Sequence, residues 1–144
     1  MMGTDKTDPE VVDELYAFAE SMGLEPVLVR KETSGFILNR LNIPLLNAGV
    51  ALFLEGIADI ADIDRTWRVS TGAPRGPFET YDIIGFRPVY DIRVAKDPDD
   101  EFAKILKKRI DAGKSGIADG EGFYRYDENG NKLGLAEEFV EDGK

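Results

Sequence analysis

Ser34-Gly35-Phe36-Ile37-Leu38-Asn39-Arg40-Leu41 runs without a charged break other than Arg40 into Asn42-Ile43-Pro44-Leu45-Leu46-Asn47-Ala48-Gly49-Val50-Ala51-Leu52-Phe53-Leu54-Glu55-Gly56. Phe36, Ile37, Leu41, Ile43, Leu45, Leu46, Val50, Leu52, Phe53 and Leu54 recur at helical spacing, and they cover more than one stripe of the helix they predict. At the rise of an α-helix, residues 34–56 span roughly 33 Å. A helix this wide in its apolar surface is either central to a bundle or buried twice, once in its own domain and once against a partner. Pro44 lies inside it and is expected to kink it or to free a carbonyl near Arg40. The most apolar part, residues 43–54, reads as too short and too interrupted to span a bilayer.

Downstream, the pattern stays helical. Asp59-Ile60-Ala61-Asp62-Ile63-Asp64 opens a helix with acids in its first turn and with Ile60, Ile63 and Trp67 on one face, ending before Gly72. Gly72-Ala73-Pro74-Arg75-Gly76-Pro77 is a rigid loop that releases a third helix at Pro77, followed by a helix over residues 88–96 and another over 102–110 behind the solvated Asp97-Pro98-Asp99-Asp100-Glu101. Five helices from Ser34 onward, with no repeat, therefore predict a mainly α fold. Gly113, Gly116, Gly120 and Gly122 punctuate an extended segment closing on Phe123-Tyr124-Arg125-Tyr126, and Asn129-Gly130 carries a hairpin-turn signal between polar flanks.

Upstream, Thr7-Asp8-Pro9-Glu10 has the form of a capping box with proline in the first turn, followed by an apolar helical repeat that stops at Gly23. Pro26-Val27-Leu28-Val29 reads as a short buried strand, yet nothing later in the chain offers it a comparable parallel neighbour. An unaccompanied strand implies that part of a sheet lies elsewhere.

Composition narrows the chemistry. The chain has 144 residues, of which 42% are hydrophobic and 32% charged, consistent with one globular domain and a sizeable core. It has no cysteine and no histidine, which removes disulfides, thiol nucleophiles, thiolate or imidazole metal sites and any Ser-His or Cys-His pair. Acid–base work would fall to a shifted carboxylate, lysine or tyrosine, or to a group supplied from elsewhere. The net charge of −10 disfavours nucleic acid and anionic membrane as partners, and the chain reads as cytoplasmic. Residues 119–144 hold eight acids against three bases and read as a solvated surface.

Three stretches, in order, resemble the 3-hydroxyacyl-CoA dehydrogenases, particularly the short bacterial 3-hydroxybutyryl-CoA type: residues 34–41 quoted above, Gly76-Pro77-Phe78-Glu79-Thr80-Tyr81-Asp82-Ile83-Ile84-Gly85, and Gly120-Glu121-Gly122-Phe123-Tyr124-Arg125-Tyr126. The resemblance implies a helical C-terminal domain over residues 33–126, shared in type with the 6-phosphogluconate dehydrogenases. Residues 1–32 look like the last helix and strand of a Rossmann nucleotide-binding domain, and 127–144 form an acidic tail. It further implies that the complete enzyme uses NAD and an acyl-CoA substrate, that this chain by itself binds no cofactor or metal, and that it homodimerises through the 36–54 helix. The Gly-rich dinucleotide fingerprint and the His-Glu catalytic pair of the family have no counterpart in this sequence.

Only Asn39 carries over as a catalytic residue, since it fills the asparagine of the family's Gly-Phe-x-x-Asn-Arg motif. An amide there offers both a donor and an acceptor without a charge to perturb a neighbouring base. Pro74, Gly76, Pro77 and Phe78 are expected to line the substrate cleft. Ile117, Ala118, Asp119 and Glu121 stand where relatives commonly place basic residues, which weighs against a phosphate site in the closing segment. Arg40 is expected to be an ion-pair or dimer residue, Trp67, Tyr124 and Tyr126 to be core, and the acids Glu79 and Asp82 not to form a catalytic or metal pair. Two other functions remain open: a stand-alone helical dimer that scaffolds a partner, and the cleft domain of a relative acting on hydroxy acids without CoA.

Overall fold

The structure is a computed structural model, and residues 1–140 are described. Contacts divide the chain into two compact units, Met1–Pro44 and the remainder from Leu45. The division falls inside the long helix.

In the first unit α1 (Pro9–Ser21) is capped by Asp8, whose side chain accepts from the Glu10 amide at 3.0 Å. The cap is therefore one residue later than the Thr7 box predicted. Asp8 precedes a proline, which holds it in extended backbone and suits it to the cap, while Thr7 instead accepts from the Thr4 amide. The expected buried strand at residues 26–29 does not form. Val29 makes a single parallel bridge to Met2, its amide donating to the Met1 carbonyl at 2.8 Å, and Val27 is 60% exposed. An extended segment with one bridging neighbour has no sheet to bury it.

The helix α2 (Phe36–Leu54) begins in this unit behind Gly35 and Phe36, whose φ values of 82° and 51° are both left-handed. Glycine takes that conformation freely; for phenylalanine it is strained. By length and composition alone α2 is apolar enough to cross a membrane, because its apolar run reaches back to Phe36 and not only to Ile43. Its C-terminal half, however, gives Leu46, Gly49 and Val50 to the core of the second unit.

That unit continues with α3 (Ile60–Thr71), capped by Asp59 and ended by Gly72, then α4 (Pro77–Ile84), α5 (Phe86–Lys96) and α6 (Glu101–Asp111). α5 starts two residues before its predicted first residue, with Pro88 in the first turn, where no intrahelical amide bond is lost. A 3₁₀ turn (Ile117–Asp119) leads to β1 (Tyr124–Tyr126), which pairs antiparallel with β2 (Lys132–Leu135), Tyr124 opposite Leu135. The chain from 119 onward is thus not a wholly solvated surface. Ala136 is fully buried, Phe139 packs on the core, and the buried Arg109 ties the segment down by donating to Glu121 at 2.8 Å and to Glu138 at 3.3 Å.

The core is aromatic. Phe78, Phe86, Phe102 and Phe123 are completely buried. The Phe123 ring is the hub, with centroids 4.7 Å from Phe86, 5.1 Å from Phe78 and 5.8 Å from Phe102. Edge-to-face and stacked pairs of this kind add to the area they bury.

Candidate functional site

The Gly72–Pro77 loop and the 122–126 segment form one interlocked block with three carboxylates at its joints. Asp64 of α3, with no exposure, accepts from the Phe78 amide at 2.8 Å, the Glu79 amide at 2.9 Å and the Tyr124 hydroxyl at 2.9 Å. It caps α4 from outside, because Gly76 at the N-cap position has no side chain to do so. The glycine is required there: a Cβ would lie 2.4 Å from Asp64 atoms. Glu79 completes the cap by accepting from the Gly76 amide at 2.7 Å, and it also pairs with Lys132.

One turn on, Asp82 repeats the device. It accepts from the amides of Phe123 at 2.7 Å and Tyr124 at 2.9 Å and from the Tyr126 hydroxyl at 2.8 Å. A Cβ on Gly122 would fall 2.1 Å from its Oδ1. Burial pushes both Asp64 and Asp82 up to about 6, against the pull of the three donors each accepts from. Burial, with the neighbouring carboxylates, raises the Tyr124 and Tyr126 hydroxyls far above the usual phenol range, and burial takes Tyr81 to about 12. With every oxygen satisfied and no solvent access, these carboxylates hold the fold and are not placed to exchange protons with a ligand.

The expected site residues are distributed unevenly. Asn39 is exposed in the first turn of α2, its backbone N–H donating to the Gly35 carbonyl at 3.1 Å. Pro74 is exposed on the loop. Gly76, Pro77 and Phe78 are buried: Pro77 packs on Gly49, and Phe78 sits among the core rings. Of the four residues expected to line a cleft, Pro74 is the one with an exposed surface. Arg40 makes no ion pair among the described residues; its guanidinium donates to Thr33 at 3.2 Å. Tyr124 is core as expected, with Tyr126 partly buried beside it.

Sequence reasoning missed Asp64 and Arg109. For Asp64 the signal was available, since it shares the apolar face of Ile60, Ile63 and Trp67, where an acid needs partners. Among the described residues no group of His, Cys, Asp or Glu is arranged to hold a metal. The sheet among the described residues is two antiparallel strands.

A family model described as 3-hydroxyacyl-CoA dehydrogenase, C-terminal domain, matches residues 35–126. The chain belongs to the 3-hydroxyacyl-CoA dehydrogenase family. It is 34% identical over 129 residues to the human mitochondrial hydroxyacyl-coenzyme A dehydrogenase, covering 85% of this chain and 41% of the relative. It is 33% identical over 113 residues to a probable 3-hydroxybutyryl-CoA dehydrogenase of Deinococcus radiodurans, covering 75% and 40%.

Among solved structures, a diketoreductase described as acting on dicarbonyl compounds matches with a TM-score of 0.80 and 51% identity over 87% of this chain and 45% of that one. The (S)-3-hydroxybutyryl-CoA dehydrogenase of Ralstonia eutropha matches with a TM-score of 0.70 and 25% identity over 88% and 46%. The chain thus spans about two fifths of the length of the curated dehydrogenases it matches. Within the family region, the second and third stretches read from sequence are the two sides of the Asp82 clasp.

Proposed function

We propose that this chain is the C-terminal part of a cytoplasmic NAD-dependent oxidoreductase that interconverts 3-hydroxyacyl-CoA and 3-oxoacyl-CoA, of the 3-hydroxybutyryl-CoA type used in fatty-acid metabolism. Residues 33–126 are its helical domain, residues 1–32 the last helix and strand of its nucleotide-binding domain, and 127–144 its acidic C-terminal extension. The observation that carries the reading is the family match over 35–126, which includes the Gly-Phe-x-x-Asn-Arg stretch around Asn39. Hydride transfer needs a nicotinamide and a base that these residues do not supply, so the chain by itself is inactive. Its own contribution is the Asn39 amide, which donates and accepts hydrogen bonds beside the reacting oxygen without adding charge, and the loop wall at Pro74. The apolar face of α2, with Leu38 and Leu41 each 70% exposed, supports a homodimer through residues 36–54.

The test is acetoacetyl-CoA-dependent NADH oxidation. The purified 144-residue chain is expected to give none. In a protein joining it to a family nucleotide-binding domain, Asn39→Ala is expected to lower kcat by roughly a hundredfold with coenzyme affinity little changed. An unchanged kcat makes Asn39 structural.

The identity of 51% to a diketoreductase favours a second reading of the substrate. A 3-oxoacyl thioester is itself a 1,3-dicarbonyl, so the same carbonyl chemistry extends to dicarbonyl compounds that lack CoA. A higher kcat/KM for a 1,3-dicarbonyl ester than for acetoacetyl-CoA selects that reading.

A further inference from the structure

On the solvent side of the α4 cap lies a cleft of ≈ 240 Å³ whose charged lining runs against the rest of the chain. In a protein of net charge −10, it gathers Arg68 of α3, Arg75 of the loop and Lys132 of β2 around a single carboxylate, Glu79. That carboxylate is already occupied. It holds the Gly76 amide at 2.7 Å and Lys132, and Arg68 Nε approaches it to 3.4 Å.

The Arg68 contact is at ion-pair distance but not a hydrogen bond: Arg68 Nε is buried from solvent and has no acceptor. A buried Nε without an acceptor is costly, and the side chain, 37% exposed overall, lines the cleft without a hydrogen bond to any described residue. Arg75 is exposed and has no ion-pair partner among the described residues. Lys132 is held in place, its Nζ 4.6 Å above the centre of the Tyr124 ring, which the Asp64 hydrogen bond in turn fixes. Pro74 and Tyr126 add to the wall.

We infer that this cleft binds a small oxyanion, a phosphate group or a carboxylate, with the Arg68 and Arg75 guanidinium groups as its principal donors. The planar fork of arginine suits two oxygens of one anion, and the volume admits one such group with its waters but not a nucleotide. All the residues belong to the second compact unit, so the inference stands whether or not the dehydrogenase reading does.

The experiment is a titration of the 144-residue chain with sodium phosphate and, in separate arms, with acetate and with a phosphomonoester, following arginine Nε–H and backbone amide shifts by NMR. Sodium chloride at matched ionic strength is the screening control. A saturable shift centred on Arg68, Arg75 and Lys132 with phosphate or acetate is the expected result, and the arm of higher affinity identifies the anion. Phosphomonoester binding tighter than inorganic phosphate assigns the group to a larger ligand.

Arg75→Gln, at an exposed position where folding is not at stake, should raise the apparent Kd roughly tenfold. Arg68→Lys, which keeps the charge and removes the fork, should raise it less. Shifts no larger than those with chloride, or a Kd unchanged by Arg75→Gln, overturn the proposal.

Discussion

Two regions of this molecule are both rich in apolar residues and opposite in fate. On the N-terminal half of α2, Leu38 and Leu41 stand 70% exposed; in the block built from α4 and the 122–126 segment, Phe78 and Phe123 are completely buried. Hydrophobicity alone does not separate them. What does is polar closure: around the buried rings, each turn that would leave amides orphaned receives a carboxylate, Asp64 for α4 and Asp82 for the strand. Residues 36–43 have no such closure, and nothing among the described residues covers them. The contrast places the closed part of the fold at the glycine-carboxylate joints, and the uncovered apolar surface on α2.

The sharpest way to break the contrast is at a joint. Gly122→Ala puts a methyl group 2.1 Å from where Asp82 Oδ1 now lies, so backbone and carboxylate must part. A loss of at least about 3 kcal/mol in urea unfolding is expected. A loss below about 1 kcal/mol would mean the clasp is dispensable. Phe78→Ala, which empties a fully buried position, should cost about 3 kcal/mol or more by the same measurement, whereas Leu38→Ala on the exposed face should stay within about 0.5 kcal/mol.

Asp64→Asn keeps the shape but offers one oxygen to three donors, so about 1–3 kcal/mol should be lost. Its pH dependence has a defined sign. The folded chain holds the Asp64 proton up to about pH 6 against an ordinary 3.8, so the folded state binds more protons between those values. Stability from this group is fullest below the lower value and falls as pH rises through 6. The Asn variant lacks that term, so the gap between wild type and variant should narrow from pH 4 to pH 7, by an amount on the order of 1 kcal/mol. A gap that widens would show that the three donors outweigh burial.

The smallest effect on stability, and the largest on association, is expected at Leu41→Glu. Unfolding of the chain should change by no more than about 0.5 kcal/mol, since the side chain is 70% exposed. Light scattering at micromolar protein should nevertheless fall from a dimer mass to about the 16.0 kDa of one chain. A dimer that survives the substitution moves the interface off this face.

Much of the helical order is written in local chemistry. Pro77 after Gly76, Gly72 after Thr71 and the acids Asp59 and Asp100 before their helices are caps that act within one turn, and each is legible. The joints are not, because they depend on residues far apart in the chain: 14 positions separate Asp64 from Phe78 and 41 separate Asp82 from Phe123. The tail misled for the same reason. Its acids suggested solvent, but Glu138 answers Arg109, 29 positions back, and Ala136 and Phe139 follow it into the core. Asn39 is a candidate only through the family motif, since an exposed amide on a helix has no local signature.

The central ring of the core comes late in the chain. Phe123 enters only after residues 1–122 have been made, and Asp82 must wait for the same segment before its lone pairs are satisfied. Until that segment is in place, Phe78, Phe86 and Phe102 lack the ring that joins them and are left open to other chains. Completion of this core then hinges on residues 123–139, so a chain cut just before 123 is expected to aggregate, whereas one cut after 139 keeps the ring that joins the others.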